Sequence, residues 1–163
     1  MGMRVGLRSM SASQLEALRQ DPDAIWQLAF PPEGMQGEDR LDLGKAWHGL
    51  HYLLTGTAWG VAPPLGLAIL GGEDIGPEMD YGPARFVAPP QVAEVAAALA
   101  ALSGQEVARR YDPQVMDAKQ IYPTQWAGEG AAGLDGLGDI FSRLATFYAG
   151  AAARGDSVLH WIA

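Results

Sequence analysis

The side chains best suited to chemistry crowd into one stretch of this chain, Leu41 to Val87. Within it His48 and His51 stand three apart in Trp47-His48-Gly49-Leu50-His51, a spacing that on a helix sets them about 60° apart around the axis. Both rings can then face one metal ion, with the remaining ligands drawn from Glu73, Asp74 or Asp80. The same spacing suits packing equally: His51 beside Trp47 and Leu54, with His48 hydrogen-bonding at the surface. Without a His-Glu-x-x-His context the pair does not specify a metal, so His48 and His51 stand as candidate ligands beside the structural reading.

Glu73, Asp74, Glu78 and Asp80 place four carboxylates in a glycine-containing loop. Paired carboxylates can do acid–base work if their surroundings drive their affinities for a proton apart, or can bind a hard cation. This loop lacks the alternating oxygen ligands and closing glutamate of a calcium hand, and a charge run in such a loop is ordinarily solvated. Tyr81-Gly82-Pro83-Ala84-Arg85 follows as a turn feeding a strand. Arg85 can offer its planar fork to a carboxylate or phosphate with Tyr81 alongside, or can form an internal ion pair with Asp42, Glu73 or Asp80. Further along, Tyr122 and Trp126 fall in an irregular stretch, where large aromatics either pin a loop or anchor a partner. The candidate binding residues are therefore Trp47, His48, His51, Asp80, Tyr81, Arg85, Tyr122 and Trp126.

None of these makes a complete catalytic set. There is no Gly-x-Ser-x-Gly, no Gly-x-Gly-x-x-Gly at a strand–helix junction and no Gly-Lys-Ser/Thr loop, so no catalytic residue is assigned and no cofactor is predicted. The serines sit at apparent caps or helix surfaces, and His160, on the same face as Val158 and Ile162, reads as a packed or edge histidine.

Composition narrows the classes further. A chain of 163 residues with 48% hydrophobic and 18% charged residues suits one folded domain. Its net charge of −8 repels nucleic-acid phosphates and anionic lipid surfaces, and no basic cluster exceeds Arg109-Arg110. Neither nucleic acid nor membrane is an expected partner. There are no cysteines, no apolar signal core and no apolar run near the roughly 20 residues a membrane span needs. Gly6 stands where myristoylation of Gly2 wants Ser or Thr, and the expected location is cytoplasmic.

Around these residues the pattern calls for a strand over 3–10, then a helix entered through Ser11-Ala12-Ser13-Gln14 at capping-box spacing. Asp21-Pro22 stops that helix and starts another, which runs to Phe30 and gives way to a polar loop over 31–40. Asp42 is the expected cap of the histidine helix and Gly56 its end. The apolar run 65–70 reads as a buried strand in its second half, 71–82 as a loop and 84–87 as a short strand. Pro89-Pro90 opens a helix to about Leu102, closed by Gly104, and Gln105 to Tyr111 adds a turn or two. Residues 112–133 read as mostly irregular, Leu137 to Ala151 as an amphipathic helix ended by Gly155, and 157–162 as a closing strand. The expected class is α+β, one compact domain over 1–163 with a small mixed sheet packed against several helices.

Trp47-His48-Gly49-Leu50-His51-Tyr52-Leu53-Leu54-Thr55-Gly56, then Ile69-Leu70-Gly71-Gly72, Tyr81-Gly82-Pro83-Ala84-Arg85, and finally Ile121-Tyr122-Pro123 with Trp126 resemble the YfbM-like family of uncharacterised bacterial proteins. The resemblance runs nearly the length of the chain. It implies an α+β fold and supplies no catalytic residues. By analogy with small acidic bacterial families, it also admits an immunity-type or partner role. The expected function is a non-catalytic binding protein with a protein partner, basic if electrostatics drive association. The competing reading is a small-molecule or metal site, hydrolytic in one version, between the His48/His51 helix and the segment 71–85.

Overall fold

A computed structural model describes residues 2–32 and 37–163. The chain begins on β1 (Val5–Met10), which pairs antiparallel on one side with β2 (Arg40–Gly44) and on the other with β5 (Ser157–Ile162). Beyond β5 come β4 (Ala84–Val87) and the edge strand β3 (Glu73–Ile75), giving the order β2-β1-β5-β4-β3. The last strand in sequence is thus the middle of the sheet, and its residues Ser157 to Trp161 are all buried. Every pairing between these strands is antiparallel, so the sheet is not the mixed one expected.

Alternation along β5 assigns its two faces. Val158 joins one apolar cluster with Val5, Leu7, Leu41, Leu43 and Val87, while Leu159 and Trp161 join another with Met10, Ala84 and Phe86. The first face is covered by α3 (Trp47–Thr55), α4 (Pro89–Ala101) and the long α8 (Ala131–Arg154). Leu137, Ile140, Leu144, Phe147 and Ala151 supply the inward stripe of α8 at three- and four-residue spacing. The second face takes α1 (Ala12–Gln20), entered through a complete Ser11/Gln14 capping box, and α2 (Ile25–Ala29), with Leu15, Leu18, Ile25 and Ala29 turned inward. Shorter helices close the first face: α5 (Gly104–Arg109), α6 (Pro113–Ala118) and α7 (Trp126–Glu129). The α+β class is therefore that of a five-stranded antiparallel sheet, among the described residues, carrying helices on both faces.

Several expectations need correction. Asp42 does not cap the histidine helix: it lies in β2, where it accepts from Gly44 N–H (2.7 Å) and binds Arg4, the residue before β1 (2.8 Å). The helix instead starts at Trp47 after Ala46, with Gly56 ending it at φ 74° as expected. Residues 65–67 form a 3-10 turn continued by Ala68 rather than a strand, and 73–75 within the expected loop form the edge strand. Gly104 opens α5 rather than only closing α4, and 112–133 contains two helices and the start of α8. Of the loop expected over 31–40, residues 33–36 lie outside the described residues, and Arg40 already belongs to β2.

Candidate functional site

The histidine helix turns both rings inward, and His48 and His51 are fully buried. His48 Nδ1 accepts the backbone N–H of Tyr122 at 2.8 Å, while its Nε2 lies 2.8 Å from the Ala58 carbonyl. Because a carbonyl only accepts, the proton sits on Nε2 and the ring is neutral, with both nitrogens committed. Burial lowers its pKa, against a smaller opposing pull from the Ala58 carbonyl. Its ring stacks on Trp47 (centroids 4.8 Å) and meets Trp59 at a tilt (4.3 Å), and Tyr122 stacks on Trp47 at 6.1 Å. This geometry is that of a keystone joining α3, the 57–61 connector and the 121–124 turn, and it leaves no lone pair of His48 for a metal.

His51 is different. Both of its ring nitrogens are enclosed, and among the described residues neither reaches a partner at hydrogen-bonding geometry. The Gly60 backbone lies near enough to favour the charged form, yet desolvation outweighs it and His51 falls to about pKa 4, with His48 adding to the depression. His160, also buried, donates from Nε2 to the Gly71 carbonyl at 2.5 Å. Its pKa is likewise driven to about 4, first by burial and then by the charges of Arg85 and His51 against the help of Gly71. All three histidines are buried, and His51 is electrostatically coupled to both of the others. Of the packed and edge readings of His160, the packed one holds.

Arg85 sits directly across from His160 in the β4–β5 register. Its Nη1 donates to the Leu70 carbonyl at 2.6 Å and its Nε to Asp74 at 3.0 Å. The internal ion pair expected of it exists, but with Asp74 rather than Asp42, Glu73 or Asp80. With Tyr81 and His160 it borders a recess of about 30 Å³, room for roughly one water molecule. Asp80 and Tyr81 are exposed, as are Glu73, Asp74 and Glu78, so the hairpin between β3 and β4 presents four carboxylates to solvent. Among the described residues, no three His, Asp or Glu side chains cluster closely enough to hold a metal ion.

Trp126 is buried, its indole N–H donating to the Ile121 carbonyl at 3.0 Å and its ring edge filling the space over Gly49. Tyr122 is half-buried on Trp47. Both aromatics therefore pin the stretch in which they lie. The structure thus brings Trp47, His48, Tyr122 and Trp126 together around α3, joins Arg85 and Tyr81 beside His160, and leaves Asp80 on the surface.

Sequence reasoning passed over the exposed aromatics. Trp59 is 61% exposed although it covers His48, and Trp26 and Phe30 of the α2 region are 40% and 54% exposed with their rings stacked at 6.2 Å. A signal was present: Trp26 and Phe30 stand four apart on a short helix whose inward face is already filled by Ile25 and Ala29.

An antiparallel sheet with helices on both faces, closed around buried histidines, defines a fold class before it defines an activity. Residues 1–161 match the model of a family described as "Domain of unknown function (DUF1877)", and the chain belongs to that family. Its fold is similar to that in the crystal structure of YfbM, a protein of unknown function from Escherichia coli. The TM-score is 0.76 at 20% identity, over 98% of this chain and 99% of that one. No curated protein matches. No helix among the described residues is long and apolar enough to cross a membrane.

Proposed function

We propose that this protein is a non-catalytic binding protein that engages a basic protein partner through the β3–β4 hairpin. The observation that carries the reading is the contrast between enclosed histidines and an exposed, anionic hairpin. The groups best able to do acid–base chemistry are spent on packing, whereas Glu73, Asp74, Glu78, Asp80 and Tyr81 all face solvent. The hairpin also adjoins exposed aromatics: Gly76 rests against Ile25, one residue from Trp26 on the helix that leads to Phe30. Aromatic anchors beside a charged rim are the anatomy of a protein-binding surface, with electrostatics setting the on-rate and the aromatics the dwell time.

The test is quantitative capture from a lysate of the source cells. It compares wild type with a variant carrying Glu73→Gln, Glu78→Gln and Asp80→Asn, which leaves the Asp74–Arg85 pair intact. A second variant carries Trp26→Ser and Phe30→Ser. Basic proteins retained by wild type, lost from both variants and released by moderate salt support the reading. An identical retained set for all three proteins, or none retained at low salt, refutes it.

A further inference from the structure

Arginines gather at one cleft on this acidic chain. Of nine arginines in the chain, Arg40, Arg143 and Arg154 converge on a single cleft of about 460 Å³ between α8 and residues 37–41. Such a volume lies within the usual range for small-ligand sites. The convergence follows from helix geometry. Arg143, Phe147, Gly150 and Arg154 fall on one stripe of α8, at steps of four, three and four residues, and Ser142 and Thr146 flank it.

The guanidiniums of Arg143 and Arg154 are held without being used up. Arg154 Nε donates to Asp156 at 3.0 Å and Nη2 to Ser9 at 2.9 Å, and Ser9 in turn donates to the same Asp156 oxygen at 2.5 Å. Its Nη1 lies over Gly150, so close that a Cβ there would stand 3.2 Å from it. Glycine at 150 thus leaves room for the fork to lie against the helix at the wall of the cleft. Arg143 reaches Asp139 only at 3.7 Å, a loose, solvent-screened surface pair. Beneath them the floor is apolar, made by the buried side chains of Leu41 and Phe147. One carboxylate, Glu38, stands at the rim and suits a hydroxyl or amine donor on the ligand rather than its anionic group.

We propose that this cleft binds a small organic anion, a phosphate or carboxylate carried on an apolar body, with Arg143 and Arg154 taking the oxyanion and Phe147 the body. Planar forks match both oxyanions bidentately, and the flanking hydroxyls of Ser142 and Thr146 can complete the set of donors. None of these residues belongs to the β3–β4 hairpin, so the proposal stands apart from the partner-binding reading.

Calorimetric titration of the intact protein at low ionic strength tests it with four probes: phenyl phosphate, phenylacetate, inorganic phosphate and neutral benzyl alcohol. Phenyl phosphate or phenylacetate should bind more tightly than inorganic phosphate, benzyl alcohol should not bind, and the tighter of the two aryl anions identifies the oxyanion preferred. Arg143→Gln should weaken binding about tenfold or more, the cost of one charge-assisted contact. Arg143 makes only the loose pair with Asp139, so folding should survive, and Thr146→Trp, which fills the cleft from its wall, should abolish binding independently. Absence of binding by every anion at millimolar concentration, or equal affinity in wild type and both variants, overturns the proposal.

Discussion

Replacing His48 by alanine removes the acceptor of Tyr122 N–H, the donor to the Ala58 carbonyl and a ring stacked on Trp47 and tilted against Trp59. Two buried backbone groups are left unsatisfied and a cavity opens, so the loss in urea-unfolding free energy should be about 3–5 kcal/mol. Acid should act on the other two buried rings. His51 and His160 have pKa values of about 4 when folded against 6.5 when exposed, so the unfolded chain binds more protons in between. Stability is therefore complete above about pH 6.5 and is lost as pH falls towards 4, by up to about 1.4 kcal/mol per pH unit for each histidine. Urea midpoints measured between pH 7 and pH 4 check the sign; a midpoint that rises on acidification contradicts it. The sequence made Trp47, His48 and His51 visible as a group by type and spacing, and Tyr122 only as a separate aromatic in an irregular stretch. It did not show that the lone pair of His48 is taken by a backbone N–H 74 residues away, because that bond exists only once the 121–124 turn has docked.

At the scale of elements, local signals served where local chemistry decides the outcome. The capping box of α1, the left-handed glycines 56 and 155, and the period of α8 were all legible. They failed where a distant side chain supplies what the local sequence lacks. The turn of helix α7 was read as irregular because its first N–H groups are capped by Asp117, which accepts from Trp126 and Ala127 at 2.9 Å each across nine and ten residues. Asp42 misled in the opposite way, its cap-like type serving an ion pair with Arg4, just before β1, instead. Asp117→Ala should therefore unfasten α7 at a cost of about 1–2 kcal/mol, with Trp126 fluorescence shifting to the red. Gly49→Ala should cost a similar amount although alanine favours helix by about 1 kcal/mol, because its Cβ would meet the Trp126 ring at 2.5 Å. Thermal unfolding checks both; a stabilised Gly49→Ala protein would contradict the packing described.

Taken as a whole, the molecule buries its three histidines between a sheet and its helices, and turns carboxylates, a stacked aromatic pair and one arginine-lined cleft outward. The carboxylates also guard the sheet: β3 is an edge, and exposed Glu73 and Asp74 discourage another strand from pairing with it. Neutralising the hairpin should accordingly raise self-association at high protein concentration, which sedimentation velocity would detect. The central claim is that histidine chemistry serves the framework while recognition belongs to the surface. Nitrogen-15 NMR of the imidazole rings between pH 7 and pH 5, with and without added zinc, tests it most directly. His51 and His160 should remain neutral through that range. His48 and His160 should carry the proton on Nε2, and zinc should leave their signals unchanged. A ring that titrates near pH 6.5, or one whose signal moves on zinc addition, would show an accessible histidine and return the catalytic or metal-site reading to the front.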